Sequence, residues 1–251
     1  MCYSDRARPP LPPIRGAAED HGDIRLTAAD GNDFAAYEAR AARPSGRAMV
    51  ILPDVRGLHP FYKELAVRFA EAGIDAVAID YFGRSAPNDD RGESFEYKPH
   101  VDRTTPEMVA QDARAAVEYV RHGANRRVRA IFTVGFCWGG ALSWRQSAAG
   151  HDLAGCIGFY GGRPMTRVAP VIPRMRAPLL MLLAGVDSTP PEEFEEFADA
   201  VRRQGIEVEV HTYAGAPHSF FDRTFTAHRK ACDDAWRRIL DFTARFTPVA
   251  A

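Results

Sequence analysis

The feature that most constrains the fold is a regular alternation of short apolar segments with amphipathic ones. "RAMVILP", "DAVAID", "RVRAIFTVGF" and "APLLMLLAG" are apolar almost throughout, as strands covered on both faces are. Between them, segments such as "FYKELAVRFAEAG" and "PPEEFEEFADAVRRQG" carry apolar residues at helical spacing. This alternation predicts an α/β fold with a mostly parallel central sheet and helices on both faces.

The N-terminal region differs from this pattern. "RPPLPPI" cannot form a helix, so residues 1–20 are predicted to be an extended arm. Two alternating segments then flank the turn residues "ADGND", which predicts an N-terminal β-hairpin. With no internal repeat or break in composition, residues 21–251 are predicted to form a single domain.

Charge and cysteine content limit the classes of function. The net charge is −1 and arginines are interleaved with acids, so neither nucleic acid nor a membrane surface is an expected partner. The first residues lack the apolar core of a secretory signal, and "APLLMLLAGV" is too short to span a bilayer, so a cytoplasmic location is expected by default. The four cysteines lack metal-ligand spacing, which argues against zinc and disulfides.

The sequence "GFCWG" at residues 135–139 has the pattern of a nucleophile elbow with cysteine in the serine position. It lies between a predicted strand and a predicted helix, as that motif requires. The helix dipole at Cys137 would stabilise a thiolate. Free cysteines are often simply buried, so a structural thiol is the alternative. The strand-to-helix context favours a nucleophile.

A cysteine nucleophile needs a base and an orienting carboxylate, and both follow in the expected order. Asp187 ends the strand "LLMLLAGV", and His218 follows the strand "EVEVHTY". Asp187 could instead cap the next helix, although Ser188 and Thr189 can do so, and His218 could be a plain loop residue. The oxyanion hole is predicted from two backbone N–H groups, those of Trp138 and Val55.

Over residues 24–246 the chain resembles the dienelactone hydrolase family. The matching motifs are "GFCWGG", "AGVD", "APHSF", "LPDVRG" and "DYFGRSAP". The resemblance implies an α/β-hydrolase fold and a Cys-His-Asp triad that works without metal or cofactor. It also implies opening of an enol-lactone to a dicarboxylate.

The resemblance further implies an acidic residue that restrains the resting thiol and arginines that grip a substrate carboxylate. Asp54 takes the acidic position, where the best-known members carry Glu. The family's second arginine falls at Asp222 here, and Arg223 is one residue late. The substrate contacts expected on this basis are Asp54, Arg84, Arg56, Arg223 and Phe220.

Several functions remain open at this point. The expected ligand is a small lactone or ester, neutral or anionic, and the protein is expected to be a monomer or homodimer. A general carboxylesterase or thioesterase would use the same scaffold. A glutamine amidotransferase pairs its histidine with a Glu two residues on, whereas His218 is followed by Ser219 and Phe220. A redox sensor or binding module would use the thiol without turnover.

Overall fold

The central sheet is mostly parallel. The computed structural model describes residues 5–123, 127–222 and 224–249. Its strands are β1 (Ala18–Thr27), β2 (Asp33–Ala41), β3 (Arg47–Leu52), β4 (Ile74–Ile79), β5 (Ala130–Phe136), β6 (Gly155–Phe159), β7 (Leu179–Val186) and β8 (Val208–Pro217). They pair in the order β1-β2-β4-β3-β5-β6-β7-β8. Only the β1–β2 and β2–β4 pairs among these described strands are antiparallel, which confirms the N-terminal hairpin and the mostly parallel sheet.

Helices cover both faces of the sheet, as predicted. They are α1 (Pro60–Glu71), α2 (Lys98–Val101), α3 (Pro106–His122), α4 (Trp138–Gln146), α5 (Pro164–Arg167), α6 (Pro191–Arg202) and α7 (Arg229–Arg245). The apolar sides of α1 and α7 pack on one face of the sheet, and those of α3, α4 and α6 pack on the other. Within the described ranges, no helix is both long and apolar enough to cross a membrane.

The N-terminal arm is attached to the domain and is shorter than predicted. Strand β1 begins at Ala18, inside the segment predicted to be an arm, because the strand pairs with β2 up to Ala41. Pro9 and Pro10 are buried. The indole N–H of Trp236 on α7 donates a hydrogen bond to the carbonyl of Pro10 at 3.1 Å. The arm therefore lies along the body of the protein.

A buried ion pair holds the long segment between β4 and α3. Arg91 Nη2 lies 2.7 Å from Asp80 Oδ2, and the side chains are 0% and 1% exposed. The guanidinium also lies 4.5 Å from the ring centroid of Phe95. Asp80 directly follows β4. The pair therefore ties this segment to the carboxyl edge of the sheet, where the elbow also emerges.

We expect Arg91→Met to lower the free energy of unfolding by about 3–5 kcal/mol, because it leaves the Asp80 carboxylate buried without its cation. Arg25→Met is the matched control, since Arg25 pairs with Asp89 at the surface and the side chains are 59% and 49% exposed. Exposed pairs contribute about 0–1 kcal/mol. Urea denaturation of both variants measures the difference. Equal losses would contradict the structural role of the buried pair.

Candidate active site

Cys137 occupies a strained turn between β5 and α4. Its backbone has φ 54° and ψ −117°, a conformation that non-glycine residues rarely adopt. Its N–H donates to the carbonyl of Phe159 at 3.1 Å, and its own carbonyl accepts from the N–H of Gly140 at 3.0 Å. The turn thus projects the thiol at the N-terminus of α4, as the elbow pattern predicted.

The glycines of the elbow are needed because three backbone segments meet there. A Cβ atom on Gly135 would lie 1.9 Å from the carbonyl oxygen of Gly139. On Gly139 it would lie 2.1 Å from the carbonyl oxygen of Pro53, in the segment after β3. On Gly140 it would lie 2.5 Å from the carbonyl oxygen of Phe159. Side chains at these positions would push α4 away from the sheet and displace Cys137.

Asp187 and His218 meet at the ends of β7 and β8. His218 Nδ1 lies 2.7 Å from Asp187 Oδ2. The two loops are also joined by the His218 N–H, which donates to the carbonyl of Val186 at 3.1 Å. The other carboxylate oxygen, Oδ1, accepts the N–H of Ser188 at 2.6 Å. The carboxylate is therefore fixed on one side and directed at the imidazole on the other.

Asp187 does not cap the helix that follows it. The cap position of α6 is Pro190, and no side chain provides a cap hydrogen bond. Neither Ser188 nor Thr189, which could also have capped this helix, does so, because two prolines bring the chain into the helix without a side-chain cap. Thr189 Oγ1 instead accepts the N–H of Arg163 at 3.1 Å.

The electrostatics of His218 favour its charged form. Burial alone would lower the pKa of His218, but hydrogen bonds to Asp187 and Cys137 and the charges of both outweigh it and raise the pKa to about 10. Burial raises the pKa of Asp187 in turn, and the hydrogen bond from His218 outweighs this and leaves it lowered. Asp187 and Cys137 therefore both favour the protonated, positively charged form of the His218 imidazole.

The segment after β3 packs against the elbow and is held there by two tyrosine hydroxyls. Asp54 is fully buried, and its N–H donates to the hydroxyl of Tyr62 at 2.9 Å. The hydroxyl of Tyr81 donates to the carbonyl of Pro53 at 2.6 Å. Burial raises the pKa of Tyr81 far above its usual value, and the negative charges of Asp54, Asp80 and Cys137 add to the shift. Asp54 and Cys137 therefore both lie near enough to Tyr81 for their charges to raise the pKa of its hydroxyl.

The two predicted oxyanion donors, the N–H groups of Trp138 and Val55, belong to the start of α4 and to the turn after β3. Trp138 is the first residue of α4, and the first N–H groups of a helix have no intrahelical partner. Its indole packs against Tyr81, with ring centroids 5.1 Å apart. Val55 lies in the turn closed by the Gly57 N–H, which donates to the Asp54 carbonyl at 3.2 Å.

Arg84 has two carboxylate partners. Its Nη2 lies 2.7 Å from Asp112 Oδ1 on α3, and its Nη1 lies 2.5 Å from Asp30 Oδ2 in the turn of the hairpin. Asp112 is completely buried, so this arginine neutralises a charge inside the protein. Binding of a substrate carboxylate by Arg84 stays a prediction, and the geometry favours a structural role.

We expect Arg84→Ala to slow hydrolysis of an anionic lactone and of its neutral methyl ester by the same factor, because the guanidinium already bridges Asp30 and Asp112. Measurement of kcat/KM for both substrates at one ionic strength tests this. A loss restricted to the anionic substrate, by roughly ten- to a hundredfold for a charged hydrogen bond, would instead assign Arg84 to substrate binding.

The other expected substrate contacts differ in placement. Phe220 is fully buried, and its ring centroid lies 5.7 Å from that of Tyr160, so we assign it to packing beneath the His218 loop rather than to substrate contact. Asp222 is also buried and accepts the hydroxyl of Tyr160 at 3.0 Å. Arg223 lies outside the described residues. Arg56 is buried and lies 3.3 Å from Asp5 in the arm.

Sequence reasoning missed Tyr160. It follows β6 directly, and its ring centroid lies 4.8 Å from that of His218. Its position after a parallel strand was the available signal, since such strand ends line the sites of α/β sheets. In the described ranges, no group of three or more His, Cys, Asp or Glu side chains could hold a metal ion.

Comparison with known proteins identifies a family to which the chain is similar along most of its length. The family model described as the dienelactone hydrolase family matches residues 34–247. A carboxymethylenebutenolidase of Rhodococcus opacus is 28% identical over 266 residues and covers 100% of this chain and 99% of its own. A carboxymethylenebutenolidase of Pseudomonas putida is 28% identical over 229 residues, and the match covers 88% of this chain and 95% of that protein.

A solved structure shows the same fold. The crystal structure of P91, a dienelactone hydrolase-like promiscuous phosphotriesterase from metagenomic libraries, has a TM-score of 0.73 at 21% identity. It covers 93% of this chain and 100% of its own. The predicted α/β-hydrolase fold is thereby confirmed.

Proposed function

The chain belongs to the dienelactone hydrolase family and is a hydrolase of esters or lactones, and from this premise we propose that it acts through a covalent thioester on Cys137. The observation that carries the proposal is the hydrogen-bonded chain from Asp187 through His218 to Cys137. Three strand ends supply these side chains, and no cofactor is part of the proposal.

In the first half-reaction the Cys137 thiolate attacks the carbonyl carbon and forms a C–S bond. The carbonyl oxygen becomes an oxyanion, which the N–H groups of Val55 and Trp138 stabilise. The C–O bond to the leaving oxygen then breaks as His218 gives that oxygen its proton. The result is an acyl-thioester and an alcohol or, for a lactone, a hydroxyl group still attached to the acyl chain.

In the second half-reaction water replaces the leaving group. His218, now neutral, takes a proton from the water as its oxygen attacks the thioester carbon. The tetrahedral intermediate expels the Cys137 thiolate and releases the carboxylic acid. Asp187 keeps Nδ1 of His218 protonated, which leaves Nε2 to exchange protons with the reacting groups.

Asp54 is proposed to restrain the resting thiol, as the family resemblance implies. Its Oδ1 accepts the backbone N–H of Arg56 at 2.9 Å, which fixes the carboxylate within the turn. A negative charge near Cys137 would disfavour the thiolate relative to the thiol. In this proposal the charge of the imidazolium offsets that of Asp54 at the moment of attack.

A substrate panel tests the function. We expect turnover of p-nitrophenyl acetate and of simple lactones, with an acyl group on the Cys137 peptide after an acid quench. Lactones with and without a carboxylate distinguish dienelactone-like substrates from general esters, and thioesters extend the panel. Release of ammonia from glutamine would instead indicate an amidotransferase. Peroxide-sensitive labelling of Cys137 without turnover of any substrate would indicate a sensor.

A further inference from the structure

The turn that carries the Val55 N–H is held by its neighbours on both sides. The N–H of Asp54 donates to Tyr62, and the carboxylate of Asp54 accepts the N–H of Arg56. Gly57 closes the turn on the carbonyl of Asp54. The direction of the Val55 N–H therefore depends on the position of the Arg56 backbone. The contacts of the Arg56 side chain help to fix that backbone.

The Arg56 side chain is anchored by the N-terminal arm. The residue is 2% exposed. Its Nη2 lies 3.4 Å from the carbonyl of Arg91 and 3.3 Å from Asp5 Oδ1. A guanidinium this deeply buried is stable only with acceptors and negative charge nearby. Asp5 supplies that charge from a segment remote in sequence.

His59 binds the same carboxylate oxygen of Asp5 as Arg56 does. His59 precedes α1, and its Nδ1 accepts the N–H of Phe61 at 3.0 Å as the helix cap. Burial lowers the pKa of His59 to about 4, so the ring is neutral at pH 7. With Nδ1 accepting, the proton resides on Nε2, which donates to Asp5 Oδ1 at 2.9 Å. A single oxygen of Asp5 thus joins His59 and Arg56.

The tip of the arm is itself held in place. The N–H of Asp5 donates to Glu93 Oε1 at 2.8 Å, and the N–H of Glu93 donates to Asp5 Oδ2 at 3.3 Å. Glu93 lies two residues after Arg91, whose ion pair with Asp80 anchors that segment. The arm therefore connects the Val55 turn, the start of α1 and the segment around Arg91 through one carboxylate.

We propose that Asp5 is a positioning residue that holds the Val55 N–H where the oxyanion forms. The inference rests on the proposed function, because it assigns Val55 to the oxyanion hole. Displacement of a catalytic group by about 1 Å can slow a reaction by roughly a hundredfold. The arm, which the sequence leaves without a role, thereby becomes part of the catalytic scaffold.

The test separates acyl transfer from simple reactivity of the thiol. In Asp5→Ala we expect kcat for p-nitrophenyl acetate to fall about tenfold or more with little change in KM, as for a group that acts in the transition state. Alkylation of Cys137 by iodoacetamide should keep its rate, because that displacement develops no oxyanion. Added acetate should restore part of kcat by occupying the vacated carboxylate position.

Two further variants control the experiment. Arg8→Ala removes the pair of Arg8 with Glu64, 3.0 Å apart, from the same arm and should leave kcat unchanged. Asp5→Asn keeps the size and one acceptor but not the charge, and it should lose less activity than Asp5→Ala while remaining folded.

Three outcomes are decisive against the proposals. Full activity of Asp5→Ala would overturn the proposed role of Asp5 and leave the proposed function standing. Equal slowing of hydrolysis and alkylation would also overturn it, because the whole site would then be disturbed. A wild-type protein that hydrolyses no ester or lactone would overturn the proposed function itself.

Discussion

Cys137→Ala is expected to abolish ester and lactone hydrolysis in a protein that still folds. The thiol forms the covalent bond in the proposed reaction, and the alanine side chain has no nucleophilic group to replace it. Loss of a nucleophile from a comparable triad lowers kcat by roughly 10⁶-fold. Steady-state kinetics and a urea unfolding curve on the same preparation measure both parts of the prediction. Turnover retained in the variant would exclude Cys137 as the nucleophile.

Cys156→Ala is the matched control for that experiment. Cys156 lies on β6 with no exposed surface, and burial raises the pKa of its thiol to about 12. Burial raises the pKa of the Cys232 thiol to about 12 as well. Iodoacetamide should therefore modify Cys137 before either of them, and activity should fall in parallel with that single modification.

The sequence predicts the strands and the residues at their carboxyl ends well, because both follow from patterns within short segments. An apolar run followed by an amphipathic helix marks a buried parallel strand, and β3, β5 and β7 are of this kind. Cys137 and Asp187 each follow such a strand directly. Because parallel strands share one carboxyl edge, recognising the strand ends was enough to bring these side chains together.

Strand order and side-chain partners depend on residues that are far apart in the sequence, so the sequence pattern predicts them less well. The hairpin strand β2 pairs with β4 rather than with β3, which is next in the chain. Arg84 is separated from Asp112 by 28 residues and from Asp30 by 54. The family resemblance suggested that Arg84 contacts the substrate. The two carboxylates that engage it become visible only once the hairpin and α3 have packed.

The arm is a further example of this limit. Its prolines and charges indicate an extended segment, but not where that segment lies. Asp5 reaches His59 across 54 positions. Nothing in the sequence around His59 indicates that contact. The cap bond to Phe61 determines its tautomer, and burial keeps it neutral. Both depend on packing rather than on pattern.

Asp187→Asn is expected to lower kcat by up to about 10⁴-fold, because an amide no longer holds the imidazole in the required tautomer. The carboxylate lies 2.7 Å from His218 Nδ1 and helps to keep the pKa of His218 at about 10. Without it, the charged imidazole that balances the thiolate is less stable. The NMR titration of His218 should move to lower pH in the variant, alongside the loss of turnover.

Thr105→Ala is the matched control for Asp187→Asn, because it should lose stability and keep its kcat. The Thr105 hydroxyl caps α3 by accepting the N–H of Met108 at 3.2 Å. Its removal should cost about 0.5–2 kcal/mol of unfolding free energy and leave kcat unchanged. Asp187→Asn should do the reverse, because α6 begins at Pro191 and takes no cap from Asp187. If Asp187→Asn instead loses stability and keeps its kcat per folded molecule, the carboxylate supports the loop and the triad assignment fails.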